Sequence, residues 1–332
     1  MNTLITSVGR RAYLVDFFRK AMAEGDRLLG ADCNPHAPAL ELFDEALLLP
    51  PTGDDRYAET LLRACVENEI ELVVPINDLE LPILARERAR FAERGVFVLV
   101  SSPDVVDICS DKFRTAEFLV SHGFLAPRTF FDLAAAQRAL EHGEISFPLL
   151  VKPRRGSASV GIVQVENQVQ LEQEWNLHRR CDDIIQEHLG TGHYSLHGFS
   201  SGSGHPDLVI GLRVLYKTRG ECYKAITVDD DELHRLGMRL GESLPMLGPW
   251  CVDVMQTPNG FVILEINPRI GGGYPVSEFA GGAFPRRIMA LAAGDPVVSD
   301  PAAYEPGVAM LKLYTTIPED GDWRKRRLQT YD

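Results

Sequence analysis

The chain has 332 residues, 45% hydrophobic and 24% charged, the make-up of a globular protein with room for two or three lobes and not of a disordered or fibrous chain. Its formal net charge of −13 opposes nucleic-acid phosphate and anionic membrane, so neither is expected as a general partner. Six cysteines at 33, 65, 109, 181, 222 and 251 form no CxxC pair, no basic region precedes an apolar run at the N-terminus, and no run reaches the length of a membrane span, which together predict a reducing, cytoplasmic setting.

Short apolar runs alternate with helix-like stretches over the first hundred residues. Leu4-Ile5, Arg27 to Gly30, Ala46 to Leu49, Leu72 to Ile76 and Val96 to Val100 read as buried strands, and Tyr57 to Asn68 and Leu79 to Arg94 as helices. That alternation predicts a parallel, doubly wound sheet, which binds ligands at the carboxyl ends of its strands. Two polar loops fall there, Ser7-Val8-Gly9-Arg10-Arg11 and Asn77-Asp78-Leu79-Glu80. A boundary is expected near Ser101-Ser102-Pro103. Ser110 is then expected to cap a helix starting at Asp111, with Phe113, Ala116, Leu119 and Val120 on one face. From Phe147 the pattern turns strand-rich: Leu149 to Lys152, Gly161 to Val165, Ile184 to Glu187, Leu208 to Tyr216, Trp250 to Gln256 and Phe261 to Ile266. One helix carries Leu233, Leu236, Leu240 and Leu244 at helical spacing.

The strongest chemical signal is Leu264-Glu265-Ile266-Asn267-Pro268-Arg269. Alternate strand residues share a face, so Glu265 and Asn267 point the same way. With Pro258 to Gly260 as a three-residue hairpin loop, Asp253 of the preceding strand stands opposite Glu265. Two carboxylates and an amide oxygen on one face suit a hard cation such as magnesium, with phosphate oxygens completing its shell. Facing carboxylates repel one another unless a cation lies between them.

A second signal is Lys152-Pro153-Arg154-Arg155-Gly156-Ser157-Ala158-Ser159. A lysine ends a strand, and small residues let backbone N–H groups approach phosphate, although the GxxxxGK[ST] order is absent. The third is Gln186-Glu187-His188-Leu189-Gly190, where a buried strand runs into a hinge able to meet adenine through its backbone. Lys112 follows in Ser110-Asp111-Lys112-Phe113. Each of these three has a bland alternative when taken alone: a hairpin tip, a strand end, a solvated helix residue.

Taken in order, these segments resemble the ATP-grasp superfamily, above all single-chain relatives of the carbamoyl-phosphate synthetase large subunit. The likeness extends to Thr6-Ser7-Val8-Gly9-Arg10-Arg11, Ala31-Asp32-Cys33-Asn34 and Pro75-Ile76-Asn77-Asp78-Leu79-Glu80-Leu81. It implies an α/β chain with a Rossmann-like pre-ATP-grasp domain over 1–102, an ATP-grasp N-lobe and lid over 103–183, and a C-lobe with the metal site over 184–332. It also implies roles. Lys112 and Lys152 bind phosphates, Gly156, Ser157, Ala158 and Ser159 form the lid loop, and Gln186, Glu187, His188 and Leu189 hold adenine. Asp253, Glu265 and Asn267 bind magnesium (or manganese), and Arg269 stabilises the transferring phosphoryl group. One departure stands out. Where the family places a glutamate on ribose in Gly-x-Glu-Tyr, this chain reads Gly192-His193-Tyr194. His193 makes a weaker contact than a carboxylate, and Glu187 is the alternative ribose partner.

The function expected is an ADP-forming carboxylate–amine ligase, acting on small molecules through an acyl phosphate, with ATP and magnesium and with a homodimer as the possible assembly. Arg10 and Arg11 either hold a substrate carboxylate bidentately or are solvated arginines at a helix start. The rival functions are carboxyphosphate formation from bicarbonate and a non-catalytic ATP sensor.

Overall fold

The computed structural model describes residues 1–156, 160–178, 182–190, 192–218, 220–313 and 328–331. The apolar runs of the first hundred residues form β1 (Thr3–Thr6), β2 (Leu28–Asp32), β3 (Glu45–Leu48), β4 (Leu72–Pro75) and β5 (Phe97–Val98). They pair in parallel in the order β3-β2-β1-β4-β5. Successive side chains of β1 enter different cores. Ile5 packs with Leu14 and Phe18, and Leu4 with Leu61 and Leu84, so helices cover both faces, as a parallel sheet requires. Strand order reverses between β1 and β4, and both polar loops named above open at that switch point.

A second sheet is antiparallel: β6 (Thr129–Phe130), β7 (Leu149–Pro153), β8 (Val163–Val165) and β9 (Asp183–Glu187), in the order β6-β9-β7-β8. Helices Leu133–Glu141 and Gln168–His178 complete this lobe, whose core includes Ala136, Leu149, Val151, Leu171 and Ile185. The third sheet holds β10 (His193–Ser200), β11 (Leu208–Thr218), β12 (Glu221–Thr227), β13 (Gly248–Thr257), β14 (Gly260–Asn267) and β15 (Ala309–Leu311). Its order is β14-β13-β10-β11-β12-β15, antiparallel throughout. Helix Asp231–Ser243 packs on it through Leu233 and Leu240.

Several local expectations change. β10, central to the third sheet, was not anticipated because His193, Ser195 and His197 make one of its faces polar. Its Gly198 also leaves room for Trp250, whose ring would lie 2.0 Å from an added Cβ. Asp111, not Ser110, caps helix Lys112–Ser121, accepting from the Phe113 and Arg114 N–H groups at 3.1 and 3.2 Å. Ser110 instead closes a preceding helix, Pro103–Cys109, also unanticipated. Nor do the segments 103–183 and 184–332 separate in space. Helix Lys112–Ser121 buries Leu119 in one core with Leu233 of helix Asp231–Ser243 and Val252 of the third sheet, while β9 lies within the second sheet between β6 and β7. A last strand, β16 (Leu328–Thr330), returns to pair with β3 in the first sheet. No helix among the described residues is long and apolar enough to cross a membrane.

Candidate active site

The β13–β14 hairpin is the foundation. Thr257 pairs with Gly260 across a two-residue turn, one residue tighter than the loop expected from the sequence. Gly260 takes a φ of +113°, open to glycine and strained for other residues. A bulge then leaves Leu264 unpaired between the Val254–Ile263 and Asp253–Glu265 pairs. The extra residue restores the register, so Asp253 stands opposite Glu265, and Cys251 opposite Asn267. Val252, Val254, Ile263 and Ile266 enter the core, and Asp253, Glu265 and Asn267 face the cleft between lobes.

Four cations surround those oxygens, from β7, helix Lys112–Ser121, β11 and the segment after β14. Lys152 ends β7, only 7% exposed, and burial pulls its ammonium down to about 8. Lys112, in the first turn of its helix, donates to the Gly156 carbonyl at 2.7 Å. Both lysines line one recess with Glu265. Asp111 secures the neighbouring loop: Arg154 reaches it through Nε at 2.7 Å, and Arg155 at 3.3 Å. Burial pushes the Glu265 carboxyl up, against the pull of Lys112 and Lys152.

The third cation was missed. Lys217, at the irregular end of β11, places Nζ 2.6 Å from Asp253 Oδ2. Burial opposes its charge, yet Asp253 prevails and raises its affinity for the proton. A lysine ahead of a turn reads as ordinary surface, so no sequence signal marked it. The fourth, Arg269, donates through Nε to Asp78 Oδ1 at 2.7 Å and through Nη2 to Asp78 Oδ2 at 2.5 Å. Nη2 also lies 3.3 Å from Asn267 Oδ1, and Nη1 donates to the Ile270 carbonyl. Burial again opposes the charge and Asp78 outweighs it. Arg269 thus ties the end of β14 to the first lobe, with most of its donors engaged. Asp78 lay in a loop whose polarity the sequence displayed, without its role.

The hinge side chains have partners of their own. Gln186 is buried and turns its amide to Thr129 Oγ1 at 2.8 Å. Glu187 accepts from the Arg128 N–H at 3.2 Å. His193 lies exposed at the start of β10, two residues from Ser195, which pairs with Asp253. Further along, buried His197 meets Ser277 Oγ at 2.7 Å, and burial lowers its imidazole to about 4, keeping it neutral. Gly156 has a φ of +126°; Ser157, Ala158 and Ser159 lie outside the described residues.

Beyond Arg269 the recess continues into a cleft of about 340 Å³ lined by Arg10, Arg11, Asn77, Asp78, Glu221 and Gly272, among others. Arg10 lies 3.6 Å from Glu221, whose other oxygen takes Lys312 at 2.7 Å. Lys312 also donates to the Gly272 carbonyl at 2.7 Å. Arg11 donates to the Ser7 carbonyl.

The donor set fits a hard divalent cation. Glu265, half-buried on the same face as Asp253 and Asn267, offers its carboxylate oxygens to a cation. The set relies on the Asn267 amide oxygen, since no group of three or more His, Cys, Asp or Glu is assembled among the described residues.

Residues 3–99 match the model of the PylC-like N-terminal domain, and residues 109–273 that of the ATP-grasp domain. A D-alanine–D-alanine ligase of Ectopseudomonas mendocina is 26% identical over 173 residues, covering 48% of this chain and 55% of the ligase. The carbamoyl phosphate synthase large chain of Mesorhizobium japonicum is 25% identical over 142 residues, covering 42% of this chain and 12% of that one. The chain thus spans about half the length of the curated ligase it matches, and far less of the synthase. Among solved structures, the biotin carboxylase domain of Hydrogenobacter thermophilus 2-oxoglutarate carboxylase superposes with a TM-score of 0.74 at 18% identity, covering 93% of this chain and 73% of that one. Matched domains in this order, over the three sheets described above, show that the chain belongs to the ATP-grasp superfamily, with a PylC-like domain preceding the ATP-grasp domain.

Proposed function

We propose that this chain is an ATP-dependent carboxylate–amine ligase that forms a C–N bond through an acyl phosphate and releases ADP and phosphate. The observation that carries the reading is the continuity of the site. A face of Asp253, Glu265 and Asn267, ringed by Lys112, Lys152, Lys217 and Arg269, opens directly into the cleft bearing Arg10, Arg11 and Glu221. Magnesium or manganese, when bound, would neutralise phosphate charge and align the nucleotide. The lysines hold the phosphates, the 186–189 backbone meets adenine, and His193 meets ribose. Gly156 borders the recess that would take the phosphates.

In the proposed reaction a substrate carboxylate oxygen attacks the γ-phosphorus in line, and the bond to ADP breaks. The amine nitrogen then attacks the acyl carbon, phosphate leaves and the nitrogen loses a proton. The protein contributes positioning and charge stabilisation and needs no nucleophile of its own. Arg10 and Arg11 suit a carboxylate, and Glu221 suits an ammonium, so an amino acid fits the cleft best. A homodimer in the cytoplasm, acting on small molecules, completes the reading; the superposed carboxylase domain was solved as a dimer.

That domain was also solved with MgADP and bicarbonate, which favours carboxyphosphate formation as a second reading. The 340 Å³ cleft is far roomier than a bicarbonate ion requires and supports the larger substrate. The decisive experiment screens amino acids and other carboxylates with ATP and magnesium, using hydroxylamine as the amine. Hydroxamate and stoichiometric ADP are expected. Bicarbonate alone releasing ADP transfers the case to carboxyphosphate, AMP release refutes the acyl-phosphate route, and bound ATP with no turnover on any acceptor favours the sensor.

A further inference from the structure

Each residue of the proposed metal face already lies under the influence of a cation of the protein itself. Lys217 donates to Asp253 Oδ2 at 2.6 Å. Arg269 lies 3.3 Å from Asn267 Oδ1, and Lys112 and Lys152 lie close enough to act electrostatically on Glu265. Four cations (Lys112, Lys152, Lys217, Arg269) stand against three carboxylates (Asp78, Asp253, Glu265), so the face carries a net positive charge. A free divalent cation gains little from such a surface. A metal–nucleotide complex, itself anionic, is drawn to it.

Lys217 is the member that touches a carboxylate of the proposed ligand set directly. Magnesium–oxygen bonds are about 2.0–2.1 Å long, so an ammonium on the same carboxylate would stand within a few ångströms of the metal. Like charges that close disfavour each other strongly in a partly buried site. Lys217 sits at the irregular end of β11 and is three-quarters buried, held by Asp253.

We propose that Lys217 is a gate on the metal position, holding Asp253 so that a divalent cation is accepted only in company with the nucleotide phosphates. The inference rests on the ligase reading only for the identity of the metal ligands. When the phosphates arrive, their negative charge competes with Asp253 for the Lys217 ammonium, and Asp253 is released to the metal. The alternative is a lasting support, with Lys217 fixing Asp253 through Oδ2 while Oδ1 meets the metal. The two differ in sign: removing a gate tightens nucleotide-free metal binding, and removing a support weakens it.

The test titrates the full chain with Mn²⁺ and follows bound manganese by electron paramagnetic resonance, with and without a non-hydrolysable ATP analogue. Lys217→Met should bind Mn²⁺ without nucleotide at least ~10-fold more tightly than the parent, the scale on which a neighbouring like charge shifts an ionic equilibrium. Lys217→Arg keeps the charge and should behave as the parent. Adding Asp253→Asn to Lys217→Met should abolish the gain and so locate it, and circular dichroism checks that each variant is folded. The gate is overturned if the analogue brings Mn²⁺ to the parent while Lys217→Met binds it no better, or worse, without nucleotide. It is overturned equally if the parent binds Mn²⁺ as tightly alone as with the analogue. Failure of the analogue to bring Mn²⁺ to any variant overturns the metal assignment itself, and the gate with it.

Discussion

Lys152→Met separates the stability of this fold from its chemistry. Lys152 is 7% exposed, and burial lowers its ammonium from the ordinary 10.5 to about 8. Each decade of proton affinity is worth about 1.4 kcal/mol, so keeping this lysine charged in the fold costs roughly 3 kcal/mol at neutral pH. Methionine has nearly the same length and no charge, and removes that cost. It also removes one of the two lysines that offset Glu265, so the net gain expected at pH 7 is ~1–3 kcal/mol. The sign of the pH dependence follows from the depressed value. Between about 8 and 10.5 the unfolded chain still binds the proton that the folded chain has released, so the parent gains stability with rising pH. The advantage of Lys152→Met should therefore shrink across that window and approach zero above it. Urea titrations of both proteins at pH 7, 9 and 10.5 read this difference, and ADP release at pH 7 should fall ~10²–10³-fold if the lysine holds a transferring phosphate. A variant less stable than the parent at pH 7, or an advantage constant through pH 10.5, would refute the burial argument.

Glu265→Gln keeps volume and removes charge; substrate-dependent ADP release should fall ~10²–10³-fold with the fold intact, and near-normal turnover would remove Glu265 from the metal site. Asp78→Asn breaks the two-point grip on Arg269, a loss of ~1.5–3 kcal/mol of charge-assisted hydrogen bonding. If Arg269 needs that grip to stay in register with Asn267, kcat/KM should drop ~10–100-fold and Asp78→Glu should restore part of it. Parental kinetics in Asp78→Asn would reduce the contact to a structural tie between lobes.

The doubly wound first lobe was legible because parallel strands buried on both faces read as continuous apolar runs, from Leu4-Ile5 to Leu72–Pro75. The metal hairpin was legible too, for a different reason. Its side-chain alternation places Glu265 and Asn267 on one face whatever the turn, and here the tighter turn and the Leu264 bulge compensate for one another, so Asp253 keeps its partner. Strand β10 was hidden because its polar face serves the cleft and Gly198 serves Trp250. Those are choices made by neighbours and invisible to local pattern.

By itself, then, the sequence determined the order of the strands and helices of the first lobe and the strand face shared by Glu265 and Asn267, since these follow from periodicity carried within single segments. Only the tertiary structure decided who partners whom. Asp78 meets Arg269 across 191 positions, Lys217 meets Asp253 across 36, and Lys312 meets Glu221 across 91. A charged side chain in a loop or at a strand end carries no local mark of its partner. The pairing is set when strands from distant parts of the chain stack their carboxyl ends around one cleft, where burial makes each unpaired charge costly.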